Sequence, residues 1–163
     1  MKRSDVGSDV MLSRTPVRVS FCGGGTDLQS FWNAHPEGGA VTSLTISNYI
    51  YVLLNRRFES SIRVAYTKTE IVESIDDVEH ELVREALQQA NLTSHIEVVT
   101  VADIPSRGSG LGSSSALTVG LLNAVHAWNG QELGSEDLAR GACHIEIDRL
   151  GQPIGQQDQY AAA

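Results

Sequence analysis

One glycine- and serine-rich stretch decides the fold: Pro105-Ser106-Arg107-Gly108-Ser109-Gly110-Leu111-Gly112-Ser113-Ser114-Ser115-Ala116. Its alternating glycines permit positive φ angles and a close approach of the backbone to a ligand. The apolar helical pattern that follows predicts a helix whose first N–H groups and positive dipole end face the loop. The stretch therefore predicts a phosphate-binding loop. The alternative is a flexible glycine-serine linker, which does not need a helix at its end.

The loop differs from the commonest nucleotide-binding loop. No Lys follows its last glycine, as one would in a Walker A motif, so backbone amides and a metal ion must neutralise a bound phosphate. Phosphoryl transfer needs such a loop, Mg²⁺ and a group that orients or deprotonates the attacking hydroxyl. Serine hydroxyls and carboxylates are suitable oxygen ligands for the cation. We therefore expect ATP as the ligand, although residue types alone do not show which of the 20 acidic residues takes part.

The composition is that of one globular domain, with 163 residues of which 41% are hydrophobic and 20% charged. The net charge of −8 argues against nucleic-acid binding, which requires a basic surface. No apolar run is long enough to span a membrane, so we expect a cytoplasmic protein without membrane contact. No signal peptide is recognisable, and Cys22 and Cys143 are therefore expected to be buried, reduced thiols rather than a disulfide.

The first elements are predicted from periodicity. Residues 1–12 have mixed charge and no period, so we expect a flexible terminus there and a folded domain over 13–163. Residues 14–22 alternate as a strand, with Val17, Val19 and Phe21 on one face and Arg18 on the other. Three glycines then end the strand, and Thr26 or Asp27 is expected to cap a short helix that contains Leu28, Phe31 and Trp32.

Most of the remaining chain follows simple strand and helix patterns. Segments rich in β-branched residues predict strands over 38–55, 61–66 and 95–101, the first being two strands or one long bent strand. Apolar residues at helical spacing predict helices over 76–91, 116–128 and 135–150, with Ser135 as the cap of the last. On that last helix Glu146 and Asp148 stand two positions apart, so only one of them faces the interior. His80 and His95 are expected to be surface or hydrogen-bonded histidines.

The chain closes with Gly151-Gln152-Pro153-Ile154-Gly155-Gln156-Gln157-Asp158-Gln159-Tyr160-Ala161-Ala162-Ala163. A glycine-proline loop leads there to an acidic residue between amides. The last residues are helix-forming alanines without a helix stop signal, and we expect the chain to be part of a longer protein.

Three segments resemble, in order and spacing, the motifs of the GHMP kinases, the superfamily of galactokinase, homoserine kinase, mevalonate kinase and phosphomevalonate kinase. They are Arg14–Leu28, Pro105–Ala116 and Gly151–Ala163. The first is most similar to the bacterial D-glycero-D-manno-heptose 7-phosphate kinases, whereas galactokinases have a Glu-His pair at the positions of Gly24 and Gly25. The third also resembles that subgroup, except that Gln156 stands where its members commonly have Lys.

The resemblance implies a role for each matching residue. Asp158 matches the catalytic Asp that takes or orients the proton of the sugar hydroxyl, and Arg18 matches the basic residue beside it. Ser114 and Glu146 match the ligands of Mg²⁺, with Ser113 or Asp148 as alternatives if the register shifts. The implied sugar-binding residues are Gly24, Gly25, Thr26 and Asp27. The implied ATP-binding residues are Pro105, Arg107, Gly108, Ser109, Gly110, Leu111, Gly112, Ser113, Ser114 and Ser115.

Without the resemblance, three of these residues have simpler interpretations. Arg18 would be a surface residue of a strand, Glu146 a solvated charge on a helix, and Asp158 a turn residue.

The resemblance also implies the architecture and the activity. The fold class is α+β: a GHMP kinase amino-terminal domain, a two-layer α/β fold like that of some ribosomal proteins, without the carboxy-terminal domain that closes the cleft. The implied reaction transfers the γ-phosphoryl group of ATP, with Mg²⁺, to the anomeric hydroxyl of a heptose 7-phosphate. This chain alone is expected to be weakly active or inactive, and a homodimer is one expected assembly. The alternatives are another sugar 1-kinase, of the fucose or galactose type, and a non-catalytic sensor of ATP and sugar.

Overall fold

The computed structural model describes residues 10–105 and 108–163, which form a five-stranded sheet and five α-helices. The strands are β1 (Val10–Cys22), β2 (Thr42–Arg56), β3 (Ile62–Ala65), β4 (Thr69–Val72) and β5 (Ile96–Ala102). The α-helices are α1 (Gln29–Ala34), α2 (Glu81–Gln89), α3 (Ser113–Trp128), α4 (Ser135–Cys143) and α5 (Gln157–Ala162). A 3-10 turn covers Ile75–Asp77, and a π-helical segment, His144–Arg149, continues α4.

The sheet has the strand order β1-β2-β5-β3-β4, and every neighbouring pair is antiparallel except β3 and β5. The strands predicted over 61–66 and 95–101 are confirmed as β3 and β5, and every second residue of the inner strands is buried. These core residues include Ile50, Val52, Leu54, Ile62, Val64, Ile96 and Val98. The segment expected as two strands or one long strand is the single strand β2. The predicted mixed α and β architecture is therefore present.

Helix α3 packs closely on β1 and β2, and most of its residues are buried, as its apolar sequence predicts. A Cβ atom on Gly120 would lie 2.7 Å from the Thr15 hydroxyl oxygen, so glycine permits the close approach of helix to strand. The Ser13 hydroxyl donates a 2.8 Å hydrogen bond to the Gly120 carbonyl oxygen. These contacts fix the middle of α3 relative to β1. Among the described residues, no helix combines the length and apolar character needed to cross a bilayer.

Strand β1 departs from the prediction in two ways. It begins at Val10 and so includes three residues expected in the flexible terminus, while residues 1–9 lie outside the described part of the chain. Val17 is buried as predicted, but Phe21 is 65% exposed and Arg18 only 9% exposed. The cause is the pairing with β2, whose register shifts after Pro16 and again after Ser20. Each irregularity changes the face to which the following side chains point.

Most of the other predictions that the structure corrects concern the residues at which helices begin. The predicted helix over 76–91 is a 3-10 turn followed by α2, because the backbone N–H of Glu79 is held by the Glu70 carboxylate in an extended segment. The N-cap of α1 is Leu28 rather than Thr26 or Asp27. The N-cap of α4 is Gly134 rather than Ser135, whose hydroxyl donates to the Ala163 carbonyl oxygen instead.

Two smaller differences concern β4 and the thiols. Strand β4 lacks a periodic signal and was not predicted; it is formed by pairing with β3. Both cysteines are free thiols as expected, but only Cys143 is buried, whereas Cys22 is exposed at the end of the edge strand β1.

Candidate active site

The phosphate-loop prediction is matched by backbone geometry. Gly108, Gly110 and Gly112 have φ angles of +72°, +66° and +72°, which glycine adopts without steric cost. Gly112 is also the N-cap of α3, so the first N–H groups of that helix lie at the end of the loop. The predicted ATP contact of Arg107 falls, with Ser106, outside the described residues.

Arg18 joins three elements of the site. Its Nε and Nη2 atoms lie 2.8 Å and 2.6 Å from the same oxygen of Asp158, Oδ1, at the start of α5. Its Nη1 donates a 2.6 Å hydrogen bond to the Gly110 carbonyl oxygen, and its backbone N–H donates to the Leu111 carbonyl oxygen. The side chains of Arg18 and Asp158 are 11% and 22% exposed, so solvent screens this pair weakly. The interpretation of Arg18 as a surface residue is therefore wrong.

The Arg18–Asp158 pair lies directly against the loop. A Cβ atom on Gly112 would be 3.0 Å from Asp158 Oδ2 and 3.4 Å from Arg18 Cζ. Because both short contacts of the guanidinium go to Oδ1, the second carboxylate oxygen is the one left to meet a substrate. The arrangement brings together a fixed, charge-balanced carboxylate and a loop suited to phosphate.

Glu146 is fully buried on the π-helical segment, whereas Asp148 is exposed and lies beside His144. The expectation that only one of the two acids faces inward is met by Glu146. Burial raises the pKa of Glu146, and the negative charge of Asp158 adds to this effect. Gln159 Nε2 donates a hydrogen bond to Glu146 Oε2, and the Ser115 and Thr118 side chains also lie beside the carboxyl group.

The residues around Glu146 fit a hard divalent cation. Glu146 Oε1 and Ser115 Oγ are buried and have no hydrogen-bond partner among the described residues. Carboxylate and hydroxyl oxygens are the donors that Mg²⁺ prefers, and a cation at this place would favour the ionised carboxylate. The hydroxyl beside Glu146 is that of Ser115, while the predicted ligand Ser114 lies on the more exposed side of α3. Within residues 10–105 and 108–163, no group of three His, Cys, Asp or Glu side chains is placed to hold a metal.

Asp27, which is predicted to contact the sugar, also holds the first turn of α5 in place. Its Oδ1 accepts a hydrogen bond from Gly25 N, and its Oδ2 accepts one of 3.0 Å from the N–H of Gln157, the first residue of α5. A Cβ atom on Gly155 would lie 1.9 Å from Asp27 Oδ2, so only glycine permits this contact. The Ser20 hydroxyl donates to Gln157 Oε1 over 2.8 Å. The first glycine motif therefore holds the helix that carries Asp158.

A cavity of about 250 Å³ lies beside Asp27 and Gln157 and reaches Asp158. Two of the four predicted sugar-binding residues line it, namely Gly25 and Asp27. Thr26 lies outside the lining, and its hydroxyl donates to the Gly23 carbonyl oxygen. Leu28, Ile154 and Gly155 complete the wall with Gln157. Because Asp158 lines this cavity, a small molecule that enters it can reach the carboxylate.

A larger cavity of about 520 Å³ lies beside the first turns of α3. Ser113, Ser114 and Leu117 of α3 form one wall, and Tyr66 and His80 form another. The two rings pack edge to face with centroids 4.7 Å apart, and burial lowers the pKa of His80. Sequence reasoning missed this wall, because Tyr66, directly after β3, and His80, directly before α2, belong to no motif that marks a cavity.

Comparison with known proteins completes the description of the site. Residues 71–163 match the family model described as GHMP kinases N terminal domain. The D-glycero-alpha-D-manno-heptose 7-phosphate kinase of Campylobacter jejuni subsp. jejuni is 33% identical over 166 residues, covering 92% of this chain and 47% of the relative. A D-glycero-D-manno-heptose 1-phosphate kinase from Bacteroides thetaiotaomicron has a TM-score of 0.83 at 31% identity, over 94% of this chain and 53% of that one.

A more distant likeness shows the fold alone. The Methanococcus jannaschii mevalonate kinase matches 93% of this chain and 50% of its own, with a TM-score of 0.72 at 18% identity. The chain thus spans about half the length of the proteins it resembles.

Proposed function

The chain belongs to the GHMP kinases, and on that premise we propose that it carries the phosphate loop, the catalytic base and the cation ligand of a sugar kinase. The observation that carries the proposal is the position of Asp158. This carboxylate is bonded to Arg18, which also holds the Gly110 carbonyl oxygen of the loop, and it lines the cavity of about 250 Å³. One acid therefore lies between the proposed phosphate site and the proposed acceptor site.

In the proposed reaction an acceptor hydroxyl enters the smaller cavity and meets Asp158. As the oxygen of that hydroxyl bonds to the γ-phosphorus of ATP, its proton passes to the carboxylate, and the bond from phosphorus to the ADP oxygen breaks. Arg18 holds Asp158 in one orientation before transfer, through its contacts with Oδ1. The glycine loop and the N–H groups of α3 bind the phosphates.

The larger cavity is the proposed site of the nucleoside part of ATP. Its volume of about 520 Å³ lies in the range of small-molecule sites, and it opens beside Ser113 and Ser114 at the start of α3. Mg²⁺ bound with ATP would be held by Glu146 and by serine hydroxyls of α3, and would neutralise charge on the phosphates. We place this reaction in the cytoplasm, where ATP is available.

The acceptor that we propose is D-glycero-D-manno-heptose 7-phosphate, phosphorylated at its anomeric hydroxyl. The support is the 33% identity to the Campylobacter heptose 7-phosphate kinase. A sugar without a phosphate is the second candidate, because the described residues that line the acceptor cavity and the neighbouring cavity at Gln156 include no Lys or Arg. A 7-phosphate therefore depends on cations outside these walls, such as those of the half that this chain does not span.

The test supplies that missing half. The chain is joined to the carboxy-terminal half of the Campylobacter relative and incubated with MgATP and a panel containing the heptose 7-phosphate, fucose and galactose. We expect ADP formation with the heptose 7-phosphate, and a loss of at least about 100-fold in Asp158→Asn, because a general base contributes 10²–10⁴-fold. The control is Asp148→Asn, an exposed acid of the neighbouring π-helical segment. ADP formation with fucose or galactose alone would favour the second candidate.

If Asp158→Asn turns over at the normal rate, the assignment of the base is wrong. A protein that binds MgATP and sugar but releases no ADP with any acceptor would be a sensor rather than a kinase. The chain without the added half is expected to bind MgATP in a calorimetric titration and to show weak turnover or none.

A further inference from the structure

Three buried oxygen atoms without partners lie in one polar cluster at the base of the site. They are Glu146 Oε1, Ser115 Oγ and Gln159 Oε1, and the residues that carry them are at most 1% exposed. Buried polar atoms are nearly always hydrogen-bonded, because an unpaired one has lost its hydration without compensation. Of the three residues, Gln159 is the one for which the sequence predicted no role in the site.

The chemistry of the three atoms is alike. A carboxylate oxygen and an amide oxygen can only accept, and a hydroxyl can accept while it donates elsewhere. The N–H group that Gln159 offers to this cluster is used, since its Nε2 donates to Glu146 Oε2. The Ser115 and Thr118 hydroxyls lie beside the Glu146 carboxyl as well, yet Glu146 Oε1 and Gln159 Oε1 form no hydrogen bond with a described residue. The cluster therefore holds acceptor oxygens and no positive charge, and a divalent cation with its bound waters would satisfy them.

The hydrogen bond from Gln159 also decides which carboxylate oxygen is free. With Oε2 held by the amide, Oε1 is the atom left for a cation. Gln159 directly follows Asp158 on α5, and Asp158 is held by Arg18. One turn of helix thus carries both the acid that meets the acceptor and the amide that orients the acid of the cation site.

We propose that Gln159 is a positioning residue for the cation that accompanies ATP. It holds Glu146 so that Oε1 is presented to the cation, and it fixes the cation site relative to Asp158. This inference rests on the proposed function only in that the cation arrives with the nucleotide; it does not depend on the acceptor or on turnover. Partners of this kind, which orient a metal ligand, typically account for a 10- to 100-fold difference in metal affinity.

The experiment measures binding of Mn²⁺, which takes the same oxygen ligands as Mg²⁺, to the chain saturated with ATP. Mn²⁺ bound to the protein is distinguished from the Mn²⁺–ATP complex in solution by its enhancement of water-proton relaxation, with ATP alone as the blank. Gln159→Met keeps the length of the side chain and removes the amide, and we expect its dissociation constant for Mn²⁺ to rise about 10- to 100-fold. The control is Gln89→Met at the exposed end of α2, which should leave the constant unchanged.

A double-mutant cycle separates positioning from a general loss of structure. Glu146→Gln should weaken Mn²⁺ binding by itself, and Gln159→Met should then have no further effect. Equal losses from Gln159→Met in both backgrounds would overturn the proposal, as would an unchanged dissociation constant in the single variant. If the Met variant does not fold, Gln159→Asn takes its place, with a smaller loss in the same direction.

The outcomes also distinguish this inference from the proposed function. A weakened Mn²⁺ site in a protein that phosphorylates no sugar would refute the sugar kinase and leave the role of Gln159 intact. Normal Mn²⁺ binding by Gln159→Met in an active kinase would refute the role of Gln159 and leave the sugar kinase intact. Failure of the unchanged chain to bind Mn²⁺ with ATP at millimolar concentration would refute both.

Discussion

Gly112→Ala tests whether the loop is built around the Arg18–Asp158 pair. The residue has a φ of +72°, so any other side chain costs about 1–2 kcal/mol in backbone strain. An added Cβ would also lie 3.0 Å from Asp158 Oδ2 and 3.2 Å from its Cγ. Either the carboxylate or the loop must move, which weakens a charged hydrogen bond of about 1.5–3 kcal/mol. The expected total loss in the free energy of unfolding is about 3 kcal/mol.

The opposite end of the same helix provides a matched control. Gly130 has a φ of +74°, and an added Cβ would have no atom within 4 Å. Gly130→Ala should therefore lose only the backbone contribution, about 1–2 kcal/mol. Equilibrium unfolding in urea, followed by tryptophan fluorescence, measures both variants under the same conditions. The difference between them, about 1–3 kcal/mol, isolates the contact with Asp158.

Two results would refute this reasoning. The first is an equal destabilisation by Gly112→Ala and Gly130→Ala. The second comes from the Asp158→Ala background, where the carboxylate is gone and Gly112→Ala should cost no more than Gly130→Ala. An extra cost that persists there would show that Asp158 is not the group pressed by the new methyl.

Two further predictions concern the contact of Asp27 with α5 and the larger cavity. Asp27→Asn removes the negative charge of the group that accepts a hydrogen bond from the first N–H of α5, and it should lower the free energy of unfolding by about 1 kcal/mol. The control is Asp77→Asn, which changes an exposed acid. Equal losses in the two variants would refute the role of Asp27. Burial lowers the pKa of His80, so the unfolded chain binds its proton more readily. Its contribution to stability is complete above the unfolded pKa of about 6.5 and falls as the pH drops through that value to the lower folded pKa. His80→Phe should flatten this part of the curve of unfolding free energy against pH, and an unchanged slope would contradict the prediction.

The sequence predicted the loop and the core well, because both depend on local patterns. Alternation in β2, β3 and β5 reflects one buried face of a sheet, and the apolar run after the loop reflects a buried helix. The pairing of Arg18 with Asp158 spans 140 residues and followed only from the resemblance to a known family. The face of β1 on which Arg18 lies was predicted wrongly, because a register shift with β2 has no signature in β1 alone.

The parts of the site that escaped prediction are long-range polar contacts. The bond from Gln157 N–H to Asp27 joins residues 130 positions apart, and the partner of Glu146 is an amide that looks like any other Gln in the closing segment. Such contacts depend on how α5 docks against β1 and the π-helical segment, and neither composition nor period encodes that docking. The proximity of Ser115 rather than Ser114 to Glu146 is likewise set by the rotation of α3.

The most direct test of the central claim is a phosphorus NMR spectrum of the reaction. The chain joined to the carboxy-terminal half of the Campylobacter relative is mixed with MgATP and the heptose 7-phosphate. The account predicts one new anomeric phosphate resonance that grows in step with ADP, and its loss in Asp158→Asn. ADP that forms without a sugar phosphate, or transfer that proceeds at the same rate in Asp158→Asn, would contradict it.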